Sequence, residues 1–194
     1  MSFSPRILAF AGSLRKDSWN KKLVRVAAAQ AQAAGAAVTL IELNDFMLPL
    51  FSEDDESEHG LPENARRLKD LMQSHQGFLI SSPEYNSSIT PLLKNTIDWA
   101  SRPAAGEPRL ACFAGKAALL VSASPGALGG IRGLVHLRAI LCELGTLVLP
   151  SSVSISKAHE AFAPDGTLAD ARLQQKVAGL AAELASFLRR HHSA

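Results

Sequence analysis

Ser13, Arg15, Ser18 and Asn20 fall within the stretch GSLRKDSWN, residues 12 to 20. Two hydroxyls, an amide and a guanidinium at this spacing suit one kind of guest, a phosphate. The stretch follows an apolar run, Arg6–Ala11, and precedes a helix-like run from Lys21 to Ala34, so it is a strand-to-helix turn. Free backbone N–H groups and the positive end of a helix dipole gather at such a turn. An arginine adds a planar fork that pairs two phosphate oxygens at once. The same residue types fit a plainer role: Ser18, Asp17 or Asn20 can cap the helix, and Arg15 can be a solvated loop cation. No G-x-x-x-x-G-K-[ST] is present and the turn holds one glycine, so neither a Walker loop nor a Rossmann fingerprint is at hand. A phosphate loop of side chains rather than glycines points to a mononucleotide.

Two later turns carry further candidates. SPEYNSSITP, residues 82 to 91, puts Thr90 before Pro91, an N-cap followed by proline in the first helical turn. Pro83-Glu84-Tyr85-Asn86-Ser87-Ser88 is then a loop, stiffened by Pro83 and tolerant of unusual backbone angles at Asn86. Either Tyr85 packs on the loop base while Asn86 closes a turn, or the loop clamps a flat heteroaromatic ring; its position facing the first turn favours the clamp. Downstream, Trp99 reads as core, and Asp98 and Arg102 as structural polar or interface residues, beside Lys94 and Asn95. The third turn, SASPGALGGIRG (122–133), holds Gly126, Gly129 and Gly130, which let backbone approach a ligand or merely make a flexible connector.

These turns need a scaffold that brings them together. Apolar, strand-like runs at Arg6–Ala11, Val38–Leu43, Phe78–Ser82, Lys116–Ser122 and Thr146–Leu149 (continuing toward Ile155) alternate with helix-like runs. The helices are expected over 20–34, 62–74, 91–101, 131–144 and 168–190. The last shows a stripe of Leu173, Val177, Leu180, Leu184 and Leu188. Five strands alternating with five helices imply an α/β fold, a three-layer sandwich with a parallel five-stranded sheet covered on both faces. Right-handed crossovers and the flavodoxin-like order 2-1-3-4-5 place strands one and three side by side at a switch point. The turns after strands one, three and four then converge on one crevice.

At 194 residues, 47% hydrophobic and 20% charged, the chain reads as one globular domain, residues 1 to 194. A net charge of +2 with scattered basic residues excludes a nucleic-acid footprint. The apolar runs are too short to span a bilayer, and MSFSPRILAF lacks a signal-peptide pattern. Cys112 and Cys142 fit reduced thiols in a cytoplasmic protein. Histidine spacing gives no metal site; the one adjacent pair, His191 and His192, is assigned to a frayed tail. The acidic run Glu53–Glu56 reads as a solvated loop.

GSLRKDSWN, SPEYNSSITPLLKNTIDW and SASPGALGG, in this order and at these separations, resemble the NADPH-dependent FMN reductase family of flavodoxin-like proteins. That family includes bacterial quinone, chromate and azo-dye reductases, and the resemblance covers nearly the whole chain. It implies that Ser13, Arg15, Ser18 and Asn20 hold the phosphate of FMN, that Pro83, Glu84, Tyr85 and Asn86 line its ring system, and that Ser124 meets it from the third loop. It implies NADPH or NADH as co-substrate, a small-molecule electron acceptor (quinone, free flavin, azo dye or a metal oxyanion such as chromate), and a homodimer or homotetramer. Asp17 stands where glycine is frequent in the family, which would put a carboxylate near the phosphate, and Thr90-Pro91 where Pro-Gly is frequent. Two other readings share the fold: an electron carrier without NAD(P)H oxidation of its own, and a nucleotide sensor. A carrier usually presents a strongly charged docking face, against which 20 basic and 18 acidic residues argue.

Overall fold

The computed structural model describes residues 3–192. Its strands are β1 (Arg6–Ala11), β2 (Ala37–Leu40), β3 (Gly77–Ser81), β4 (Ala117–Ala123), β5 (Leu147–Val148) and β6 (Val153–Ile155). Its helices are α1 (Trp19–Ala33), α2 (Glu53–His59), α3 (Glu63–Ser74), α4 (Pro91–Ser101), α5 (Ile131–Glu143) and α6 (Ala171–His192). Every pairing is parallel and the order is β2-β1-β3-β4-β5, as the alternation of elements requires.

Both faces of the central strands are buried, and the strand period sorts their side chains into two cores. Ile7, Ala9, Leu79, Leu119 and Val121 point toward α1 and α6, where Leu23, Ala27, Val177, Leu184 and Leu188 meet them. Leu8, Phe10, Phe78, Ile80 and Leu120 point toward α3, α4 and α5, against Leu68, Leu93, Ile97, Leu137 and Leu141. Trp99 is 1% exposed, a core residue as read, and its Nε1 donates to the Pro49 carbonyl at 2.8 Å.

Three expectations are corrected. The fifth strand is broken into β5 and β6, both paired with β4, because two extra residues lie between them: the partner of Ala117 is Leu147, but that of Val121 is Val153. Arg138 fills the gap, donating to the carbonyls of Val148, Leu149 and Pro150. The acidic run is helix α2, capped by Ser52, whose hydroxyl accepts from Asp55 N, and ended at Gly60 with φ +71°. Four carboxylates in its first turn suit the helix dipole. None of its residues is buried, so apolar periodicity gave no sign of it. Finally, His191 and His192 continue α6 rather than fray from it.

Candidate functional site

Thr90 joins the first two loops at their base. Its hydroxyl caps α4 by accepting from Leu93 N at 3.2 Å and donates to the Gly12 carbonyl at 2.8 Å. Gly12 packs closely on α4: a Cβ there would lie 3.1 Å from Leu93 Cβ. Asn20 joins all three loops. Its Nδ2 donates to the Ala123 carbonyl at 2.8 Å, while Oδ1 accepts from Ala123 N at 3.0 Å and from Ser81 Oγ at 2.9 Å. The amide is 97% buried and committed to the ends of β3 and β4. Asn20 thus ties the cradle together while lining the hollow.

These ties produce a hollow of about 90 Å³ lined by Ser13, Arg15, Ser18 and Asn20 of the first loop, Pro83, Glu84 and Tyr85 of the second, and Ser124 of the third. Trp19, Ala123 and Pro125 complete its wall. Eight of the nine residues expected at the site are therefore together. The ninth, Asn86, lies outside the wall at an exposed turn tip with φ +49°, followed by Ser87 at +67°. Tyr85 and Ser88 exchange backbone bonds at 2.9 and 3.0 Å across that two-residue turn, for which asparagine is suited. Asn86 makes the hairpin that presents Tyr85, which is 50% exposed.

Several groups of the first loop keep hydrogen-bonding capacity to spare. Ser18 occupies the N-cap position, yet its hydroxyl caps no N–H of α1. The first helical bond runs from Lys22 N to the Ser18 carbonyl, so the N–H groups of Trp19, Asn20 and Lys21 open at the helix start. Among the described residues, Ser13 Oγ accepts only from Arg15 N, at 3.3 Å. The Arg15 side chain is exposed and has no carboxylate partner among the described residues. Asp17 is exposed and does not line the hollow. Oriented donors, one cation and a helix N-terminus around a small buried volume fit a phosphate.

Glu84 faces away from this cluster. Its carboxylate, 8% exposed, accepts from Arg132 Nε at 2.8 Å, from Arg132 Nη2, and from Gly133 N at 3.1 Å. Burial opposes its ionisation, but the bonds from Arg132 and Gly133 prevail and hold the carboxyl below its ordinary range. Ser88 adds a 2.9 Å bond to His136. The second loop is thus bolted to α5 by partners the sequence did not single out; the basic side chain after Gly129-Gly130 was the available signal. Those glycines are needed by the chain's own packing. A Cβ on Gly129 would lie 2.9 Å from backbone atoms of 154–156, and one on Gly130 would lie 3.1 Å from Ser122 Cβ. Lys94 pairs with Asp98 and Arg102 with Glu56, both structural contacts. Cys112 is buried, with its thiol pushed up by burial, and bonds no group of the hollow.

The sequence model of the NADPH-dependent FMN reductases matches residues 5–160. The chain belongs to that family. Among its fellow NADPH-dependent FMN reductases and relatives, a probable NADPH:quinone oxidoreductase 2 of Oryza sativa subsp. japonica is 34% identical over 187 residues, covering 94% of this chain and 88% of its own. An NAD(P)H-dependent FMN reductase of Pseudomonas aeruginosa is 34% identical over 178 residues, 91% of each chain. In three dimensions the flavoenzyme NAD(P)H:(acceptor) oxidoreductase FerB of Paracoccus denitrificans superposes with a TM-score of 0.81 at 30% identity, over 96% of this chain and 98% of that one. Each of the three loop motifs contributes residues to the wall of the hollow.

Proposed function

We propose that this protein, acting as one domain, binds FMN and oxidises NADPH or NADH, passing the electrons to a small acceptor such as a quinone, free flavin, azo dye or chromate. The observation that carries the reading is the hollow itself, where the Ser18 hydroxyl, the Arg15 side chain and the open N–H groups of α1 converge, unpartnered among the described residues, beside Ser13. They fit the FMN phosphate: two hydroxyls and the helix start donate, and Arg15 supplies the countercharge. The volume takes a phosphate and the start of a sugar chain, not a three-ring heterocycle, so the ring belongs outside, beside Pro83, Tyr85 and Ser124.

Bound FMN supplies the redox chemistry, hydride acceptance and electron delivery. The chain's part is position and electrostatics. Glu84, Arg132 and Gly133 fix the second loop, Asn20 fixes the three loops relative to one another, and Tyr85 offers an exposed aromatic edge. Backbone donors of the second and third loops are the groups available to stabilise negative charge on a reduced ring. No Ser-His-Asp triad or carboxylate pair is required.

Apolar side chains exposed in or beside these loops, among them Leu14, Tyr85, Ile131 and Val135, support a homodimer or homotetramer with the site beside the interface. Two free cysteines support a cytoplasmic protein, and no helix among the described residues is long and apolar enough to cross a membrane. The deciding experiment is the visible spectrum of purified, flavin-reconstituted protein, followed anaerobically on addition of NADPH and then of a quinone. Bleaching and recovery, with FMN found by mass after heat release, is the expected result. A colourless protein, or a flavin that NAD(P)H does not bleach, would overturn it. Light scattering that shows an active monomer would remove the oligomer.

A further inference from the structure

A second cavity, about 660 Å³, lies between α1 and the loop that joins β6 to α6. Its volume falls in the range of about 300–1,000 Å³ typical of small-molecule sites. The loop wall is tied to itself. Ala163 N donates to the Thr167 carbonyl and Gly166 N to the Ala163 carbonyl, each at 2.9 Å. Asp165 turns back onto Thr167, accepting from its N at 3.0 Å and its Oγ1 at 2.7 Å. Phe162 then stacks on Trp19 of the helix wall, with ring centroids 5.9 Å apart and planes 9° from parallel. Val26 and Pro164 extend this apolar lining, so a flat guest finds aromatic and aliphatic surface to cover.

The polar side of the cavity is cationic. Lys22 Nζ lies 4.6 Å from the Trp19 ring centroid and 6.0 Å from that of Phe162, and it makes no ion pair among the described residues. Arg25, three residues on along the same helix face, gives Nη2 to Glu42 at 2.9 Å and keeps the rest of a half-exposed guanidinium. Glu42 is not on the wall, and Lys21 already matches it at 2.6 Å. On the wall itself two cations, Lys22 and Arg25, stand against one carboxylate, Asp165, with His159 neutral at pH 7. The balance is a single positive charge. A guest with one negative charge neutralises it, and a second negative charge would go unmatched.

We infer that this cavity is a second binding site, for an aromatic monocarboxylate, with the carboxylate on Lys22 and Arg25 and the ring against Phe162, Val26 and Pro164. Each part of that guest answers one part of the wall. A neutral arene would leave both cations without a partner, and a dianion would bring more charge than the wall balances. Pro83, Tyr85 and Ser124, beside which the flavin ring is placed, are not on this wall. The inference therefore stands apart from the redox reading, and the two fail separately.

Calorimetry on the full chain with FMN present tests it, using 2-naphthoate as the probe. Saturable binding is expected, at least about tenfold tighter than that of 2-naphthylmethanol, which keeps the ring and lacks the charge. Naphthalene-2,6-dicarboxylate should bind no more tightly than 2-naphthoate. No saturable binding, equal affinities for acid and alcohol, or a preference for the dicarboxylate overturns the inference. In the double variant Lys22→Gln/Arg25→Gln, affinity for 2-naphthoate should fall at least about tenfold, as expected when charged hydrogen-bonding partners are lost. An unchanged affinity means that the probe sits elsewhere, and displacement of FMN by 2-naphthoate means that it shares the first hollow; either result overturns the inference. The comparison of acid with alcohol needs no variant, so it decides the matter even if the double variant does not fold.

Discussion

Arg15→Ala separates phosphate binding from folding more cleanly than any other change in the hollow. The Arg15 side chain is exposed and touches no carboxylate among the described residues. Its one hydrogen bond among the described residues is from its backbone N to Ser13 Oγ at 3.3 Å, which alanine keeps. The apo protein should therefore melt within about 2 °C of wild type, as a surface change within about ±0.5 kcal/mol allows. FMN binding should suffer. A hydrogen bond to a charged group contributes about 1.5–3 kcal/mol, which corresponds to about ten- to a hundredfold in Kd. Because the guanidinium sits at the solvent-facing rim, where water and salt screen it, the lower end applies, about tenfold. Fluorescence titration of FMN into apo protein, with riboflavin as a control lacking phosphate, gives the number. The loss should appear for FMN and not for riboflavin, and should shrink as salt is raised. An unchanged FMN affinity would return Arg15 to the solvated loop and leave the phosphate to the hydroxyls and the helix start alone.

Ser18→Ala and Asn20→Ala, two residues apart, should behave oppositely. Ser18→Ala weakens FMN binding and leaves the apo melting temperature unchanged, since its hydroxyl caps nothing. Asn20→Ala strands the buried polar groups of Ala123 and Ser81, at a cost of about 3 kcal/mol and a fall in Tm of about 6–12 °C. Differential scanning calorimetry distinguishes them, and equal melting temperatures would refute the scaffolding role. Glu84, whose carboxyl is depressed in the folded state, contributes stability that is complete above the ordinary carboxylate range and lost as pH falls through the lower folded value. The difference in Tm between wild type and Glu84→Gln should accordingly close as pH is taken from neutral into that acid range; a difference independent of pH would mean that the Arg132 contact is inert. With a hollow too small for the ring system, nicotinamide and quinone must use the same open side in turn. Initial rates over both concentrations should give parallel double-reciprocal lines, and intersecting lines would show that both substrates fit at once.

The sequence by itself determined the fold class, the order of the strands and the place of the three loops. Continuous apolar runs at β1, β3 and β4 can only be satisfied by burial on both faces, and right-handed crossovers then leave few arrangements. Thr90-Pro91 marked the start of α4 to the residue, because cap and proline chemistry are local. Helix α2 escaped notice because it buries nothing, and its signal lay in Ser52 and the acids of its first turn rather than in any period. At the site, residue types told which side chains can bind a phosphate but not which are free to do so. That is a question of partners distant in sequence. Ala123, 103 residues away, occupies the amide of Asn20, and Arg132, 48 residues away, turns Glu84 toward α5. Ser18, one residue before the helix, remains unclaimed. Only the tertiary structure decides between a hydrogen-bonding group that binds a ligand and one that holds the binding site together, because the two have the same chemistry and differ only in what folding brings beside them.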